Sequence, residues 1–96
     1  MIIASLSIFP TSEGASVSRY VKEVIKAIDS SGLKSRTGGM NTTIEAPDLE
    51  TLFKVIQKAH SVLVDMGVGR IHIDLNVDHR LDKESSIDSK LKSLRS

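Results

Sequence analysis

From Arg70 to Asp78 the chain alternates polar and apolar residues without a fault. Successive side chains of a strand point to opposite faces, so Ile71, Ile73, Leu75 and Val77 share one face. Arg70, His72, Asp74, Asn76 and Asp78 share the other. Such a strand belongs in an antiparallel sheet with one face on a core and the other left open. The open side carries a cation, an imidazole, carboxylates and an amide, richer chemistry than the Thr, Ser and Lys of an ordinary wet face.

The rest of the chain supplies the partners of that strand. Ile2 to Phe9 reads as a first strand, with Ile2, Ala4, Leu6 and Ile8 on one face and Ile3, Ser5, Ser7 and Phe9 on the other. Pro10 ends its ladder. Ser16 is placed to cap a helix running to about Ser31, with an apolar stripe of Val17, Tyr20, Val21, Val24, Ile25 and Ile28. Leu33 to Thr37 reads as a short strand, Gly38-Gly39 as a turn, and Met40 to Ala46 as the returning strand. Pro47-Asp48 then opens a second helix, Leu49 to Met66, whose stripe is Leu49, Leu52, Phe53, Ile56, Ala59, Leu63 and Met66. After Arg80 a polar stretch leads to a short amphipathic helix with Ile87, Leu91 and Leu94 on one side.

The order is β-α-β-β-α-β with a short C-terminal helix, an α+β, ferredoxin-like sandwich: an antiparallel sheet with both helices on one face. Right-handed crossovers place the first and third strands in the centre and the last at an edge. The 96 residues make one domain, 1–96, short enough to gain from self-association. A formal net charge of +1 gives no field to draw in nucleic acid or anionic lipid. The sequence has no cysteine, which excludes disulfides and thiolate metal sites. The apolar N-terminus lacks a basic region and a cleavage site and is too short to span a bilayer, so the expected home is the cytoplasm and no membrane partner is expected.

The open face of this sheet presents Ser5, Ser7 and Phe9, then Asn41, Thr43 and Glu45, then His72, Asp74 and Asn76. A wet sheet face needs no function, yet these positions continue across strands and mix acids, amides, hydroxyls and an imidazole, as small-ligand sites do. Glu45 stands out because acidic residues are depleted in strands; a solvated or salt-bridged strand end is the plain alternative. His72 and Asp74 are too few for a metal centre. His60 reads as a core-edge residue. Catalysis lacks a nucleophile motif or phosphate-cradling glycines, although His72 with an acid is the least demanding enzymatic reading. RNA recognition on this fold stacks bases on aromatics of the central strands, and here Phe9 stands alone.

Several runs resemble the small thiamine-binding protein family: Pro10 closing the first strand, Ser16-Val17-Ser18-Arg19-Tyr20-Val21, Ser31-Gly32-Leu33, Met40-Asn41-Thr42-Thr43-Ile44-Glu45, Gly67 followed by Arg70, and Asp78-His79-Arg80-Leu81-Asp82-Lys83. The resemblance covers nearly the whole chain. It implies a ferredoxin-like fold assembled into dimers or tetramers through sheet and edge contacts. It also implies binding of thiamine or its hydroxymethylpyrimidine part, without catalysis or a cofactor. Asn41 and Ala46 stand where that family usually has glycine.

The expected function is therefore a non-enzymatic, cytoplasmic, homo-oligomeric binding protein. Its ligand contacts are expected from Ser7, Phe9, Asn41, Thr42, Thr43, Glu45, His72 and Asp74, with no metal. Glu45 with Asn41 or Thr43 suits an aminopyrimidine, and Asp74 a thiazolium cation. The alternative is an oligomerisation or regulatory module whose polar sheet face is a subunit interface.

Overall fold

A computed structural model describes residues 1–14 and 16–95, the last without its side chain. The elements run β1 (Ile2–Pro10), α1 (Ser18–Asp29), β2 (Ser35–Thr37), β3 (Thr42–Ala46), α2 (Leu49–Asp65), β4 (Ile71–His79) and α3 (Ile87–Arg95). The sheet order is β2-β3-β1-β4 and every neighbouring pair is antiparallel. This is the ferredoxin-like arrangement, with β1 and β3 central and β4 at an edge.

The core lies between the helices and the sheet face formed by Ile2, Ala4, Leu6, Ile8, Ile44 and Ala46. Val24 and Ile28 come down from α1, and Leu52, Val55, Ala59 and Leu63 from α2. Each large aliphatic side chain fully removed from water contributes about 1.5–3 kcal/mol, so these two stripes fix how the helices sit on the sheet. Asp48 caps α2 by accepting the Thr51 backbone N–H at 2.7 Å. Gly67, with φ +78°, closes that helix in the left-handed region.

Three local expectations are corrected. Ser16 does not cap α1. The helix starts at Ser18 with Val17 in the capping position and no side-chain cap, and its first turn is closed by Tyr20 and Val21 N–H groups donating to the Val17 carbonyl, each at 3.0 Å. Ser16 sits one residue too far upstream for its hydroxyl to do this work.

On α2, Leu49 and Phe53 are not core residues but 43% and 50% exposed. On β4, Ile73 and Val77 are 43% and 41% exposed, so its apolar side is only partly covered. Both helices pack over β1, and on β4 Ile71 and Leu75 pack against the core. In α3 Ile87 is buried, whereas Leu94 is exposed.

Candidate functional site

The sheet register sorts the open face into rows. Ile3 pairs with Glu45 on one side and Asp78 on the other; Ser5 pairs with Thr43 and Asn76. Further along β1, Ser7 faces Asp74 and Phe9 faces His72. The first row is covered and the last two are open.

The cover is α3. Glu45 is only 6% exposed, and its Oε1 accepts the Ile87 backbone N–H at 3.1 Å from 42 residues away. The first N–H groups of a helix have no partner within it, and a carboxylate there also meets the positive end of the helix dipole. Ser86 and Ser89 satisfy two more: the Ser86 hydroxyl accepts from Ser89 N–H and the Ser89 hydroxyl from Ser86 N–H.

Ion pairs tie the same helix down on both sides, Lys90 to Asp78 of β4 and Lys34 and Arg36 to Asp88. The hydrogen bonds from Lys90 and Lys34 hold the Asp78 and Asp88 carboxyls below the usual carboxylate range. Beneath α3, Ile3 and Ile87 are 6% and 4% exposed, so this end of the open face is a small second core.

The cavity lies at the other end, on the helix side of the sheet. β3 stops pairing with β1 at the Leu6–Thr42 pair, while β1 continues to Pro10 alongside β4. The gap left beside β1 is bounded by α1 and by the β2–β3 turn, and it encloses about 200 Å³. Its lining is apolar from Leu6, Ile8, the capping residue Val17 and the α1 residues Val21, Val24 and Ile25. Polar groups come from Ser7, Thr37, Asn41 and Thr42, and among the described residues no charged side chain lines it.

The Thr37 and Thr42 hydroxyls lie 3.3 Å apart, either able to donate to the other. The Ser7 hydroxyl donates to the Met40 carbonyl at 2.8 Å, and the Asn41 side-chain amide donates to the Ser5 hydroxyl.

The structure thus divides the eight candidate residues. Ser7, Phe9, Asn41 and Thr42 meet at the cavity. Thr43 lies in a shallow groove with Ser5 and Asn76, and Glu45 is enclosed under α3. His72 and Asp74 are exposed on β4, where the His72 ring sits 5.1 Å from the Phe9 ring, tilted by 36°.

Among the described residues no three of His, Asp and Glu come together as metal ligands, and no helix is long and apolar enough to cross a membrane. The lining residues Val17, Val21, Val24 and Ile25 read in the sequence as ordinary core stripe. No sequence signal sets them apart, because the mismatch in length between β1 and β3 appears only in the pairing.

The chain resembles known proteins over nearly its full length. It is 40% identical over 93 residues to the UPF0045 protein of Methanocaldococcus jannaschii, covering 97% of this chain and 91% of the relative. A crystal structure of that archaeal protein superposes with a TM-score of 0.88 and 42% identity, over 98% of this chain and 95% of the other. The UPF0045 protein YqgV of Bacillus subtilis is 35% identical over 99 residues, covering 98% of this chain and 94% of the relative. A Thermotoga maritima structure, of a protein named for thiamine biosynthesis or salvage, shares the fold with a TM-score of 0.81 at 21% identity, over 98% of each chain. The family model for thiamine-binding proteins matches residues 4–95, and the chain belongs to that family.

Proposed function

We propose that this chain is a non-enzymatic cytoplasmic protein that binds the pyrimidine ring of thiamine, or free hydroxymethylpyrimidine, and works as a homo-oligomer. The observation that carries the reading is the cavity of about 200 Å³ between α1, β1 and the β2–β3 turn. Pockets enclosing drug-sized ligands start at roughly 300 Å³, so this one suits a single ring. Apolar side chains from α1 and β1 would cover the ring faces. The Thr37–Thr42 hydroxyl pair can turn to donate to a ring nitrogen or accept from an amino group.

The uncharged lining favours a neutral ring, since a cation inside would be left without a counter-charge. A thiazolium would therefore stay outside the cavity. The same lining supports binding without turnover, because its described residues offer no titratable group to move a proton.

Self-association is supported at the β4 edge. Lys58 of α2 donates to Ser30 beyond the end of α1, so that flank of α2 faces α1. Leu49 and Phe53 fall on the opposite flank, toward β4, where Ile73 and Val77 are also exposed. An exposed nine-residue edge strand with an apolar side invites pairing. A second copy of β4 running antiparallel about Leu75 would set His72 against Asp78 and Asp74 against Asn76, complementary on both counts.

Calorimetric titration with hydroxymethylpyrimidine and with thiamine, alongside sedimentation, tests the proposal. Saturable heat with hydroxymethylpyrimidine on an assembled protein is expected. An assembled protein that gives no heat with either ligand at millimolar concentration would overturn the ligand and leave an assembly module.

A further inference from the structure

We infer that Asn41 is a positioning residue rather than a ligand contact: through Ser5 it latches the β2–β3 turn as the moving wall of the cavity. The inference rests on the cavity being the ligand site and adds to it a gate. Two of the three walls are fixed. The α1 wall is anchored by Val24 and Ile28, 3% and 1% exposed, and the β1 wall is a central strand.

The third wall runs from Thr37 to Thr42. It joins a three-residue edge strand to a turn whose Met40 is 89% exposed. Beyond the Leu6–Thr42 pair no ladder ties this turn to β1. Inside the turn, Gly38 N–H donates to the Asn41 carbonyl at 2.8 Å. Two side-chain bonds reach back to β1: the Ser7 hydroxyl to the Met40 carbonyl, and the Asn41 amide to the Ser5 hydroxyl.

Both bonds are exposed, so water can replace them at small cost, and segments held by exposed bonds and few buried contacts open first. The Asn41 amide is committed to Ser5, a residue on the open face that does not line the cavity. Ser5 can therefore affect a ring inside the cavity only by holding the turn. Ser7 and Asn41 cannot separate the two roles, because both line the cavity, so Ser5 carries the test.

The test uses full-length Ser5→Ala, Asn41→Ala, the double variant and Ser5→Thr as a hydroxyl-retaining rescue. Amide hydrogen exchange of Gly38, whose N–H is bonded inside the turn, is read first, without ligand. Each alanine variant is expected to exchange about five- to tenfold faster there, as loss of one exposed hydrogen bond implies, with the double variant no faster than either and Ser5→Thr restored. Association and dissociation rates for hydroxymethylpyrimidine follow, from NMR line shapes. In Ser5→Ala, which removes no cavity-lining group, a gate raises both rates together and leaves Kd within about twofold, since both states of the latch lead to the same bound complex.

Unchanged turn exchange in Ser5→Ala overturns the latch. A faster dissociation rate alone, with weaker Kd in Asn41→Ala, overturns it in favour of a direct contact. If the pyrimidine fails to bind the wild type, the cavity reading falls by itself, and turn exchange still decides the latch.

Discussion

The two faces of this sheet carry polar residues to different ends. On the open face the covered end is committed internally: Glu45 accepts the first N–H of α3, and Asp78 pairs with Lys90. On the helix face there are few polar groups, yet Thr37 and Thr42 stand at the wall of the cavity among aliphatic side chains. The richer chemistry thus lies on a face whose covered end is spent on structure. The proposed ligand site is therefore the sparse set of hydroxyls beside the half-open cavity, where a bound ring would leave water on most sides.

The sharpest way to break that comparison is to injure the open face and ask whether the cavity notices. Ile87→Ala removes the buried anchor of α3 and is expected to cost about 2–4 kcal/mol of its docking, as deletions from buried aliphatic sites do. Hydrogen exchange across Lys90 to Leu91 would report it, with pyrimidine affinity unchanged. Glu45→Ala leaves the Ile87 N–H without its acceptor and is expected to cost about 1.5–3 kcal/mol, read by urea unfolding. A collapse of ligand affinity in that variant would return Glu45 to the site.

On the other face, Thr42→Val keeps the shape of the side chain and deletes its hydroxyl. Pyrimidine affinity should fall by about five- to tenfold while the unfolding midpoint barely moves, as measured by calorimetry and urea titration. The smallest effect is a pH dependence confined to α3. Asp78 and Asp88 have carboxyls held below the usual range, chiefly by hydrogen bonds from Lys90 and Lys34. A depressed folded value means their support is complete above the ordinary carboxylate pKa, about 3.9, and is lost as pH falls through the folded value. NMR spectra below about pH 4 should therefore show α3 signals changing before those of α1 and the cavity wall.

Much of this fold could be read in the sequence because its signals are local. The alternation from Arg70 to Asp78, the Asp48 cap and the Gly38-Gly39 turn each act within a few residues, and each stands where expected within one or two positions. The features that could not be read are tertiary. Nothing near Glu45 in the chain announces that its partner is the N–H of Ile87, and a carboxylate in a strand looks the same whether it awaits a ligand or caps a distant helix.

The cavity depends on β3 stopping at Thr42 while β1 runs on to Pro10. Strand ends are set by pairing rather than by composition, and Met40 and Asn41, which continue the strand in sequence, leave the ladder. The exposure of Phe53 and Ile73 was hidden for a similar reason: apolar spacing shows which residues share a face, not how far the neighbouring element reaches over it.

The most direct measurement is a two-dimensional NMR titration of the uniformly labelled, assembled protein with hydroxymethylpyrimidine. Saturable shifts are expected at Ser7 to Phe9, Thr37 to Thr42 and Val21 to Ile25, with Asp74 and Asn76 unmoved and His72 following only through its contact with Phe9. Shifts centred on His72, Asp74 and Asn76, with the cavity residues still, would contradict the cavity site.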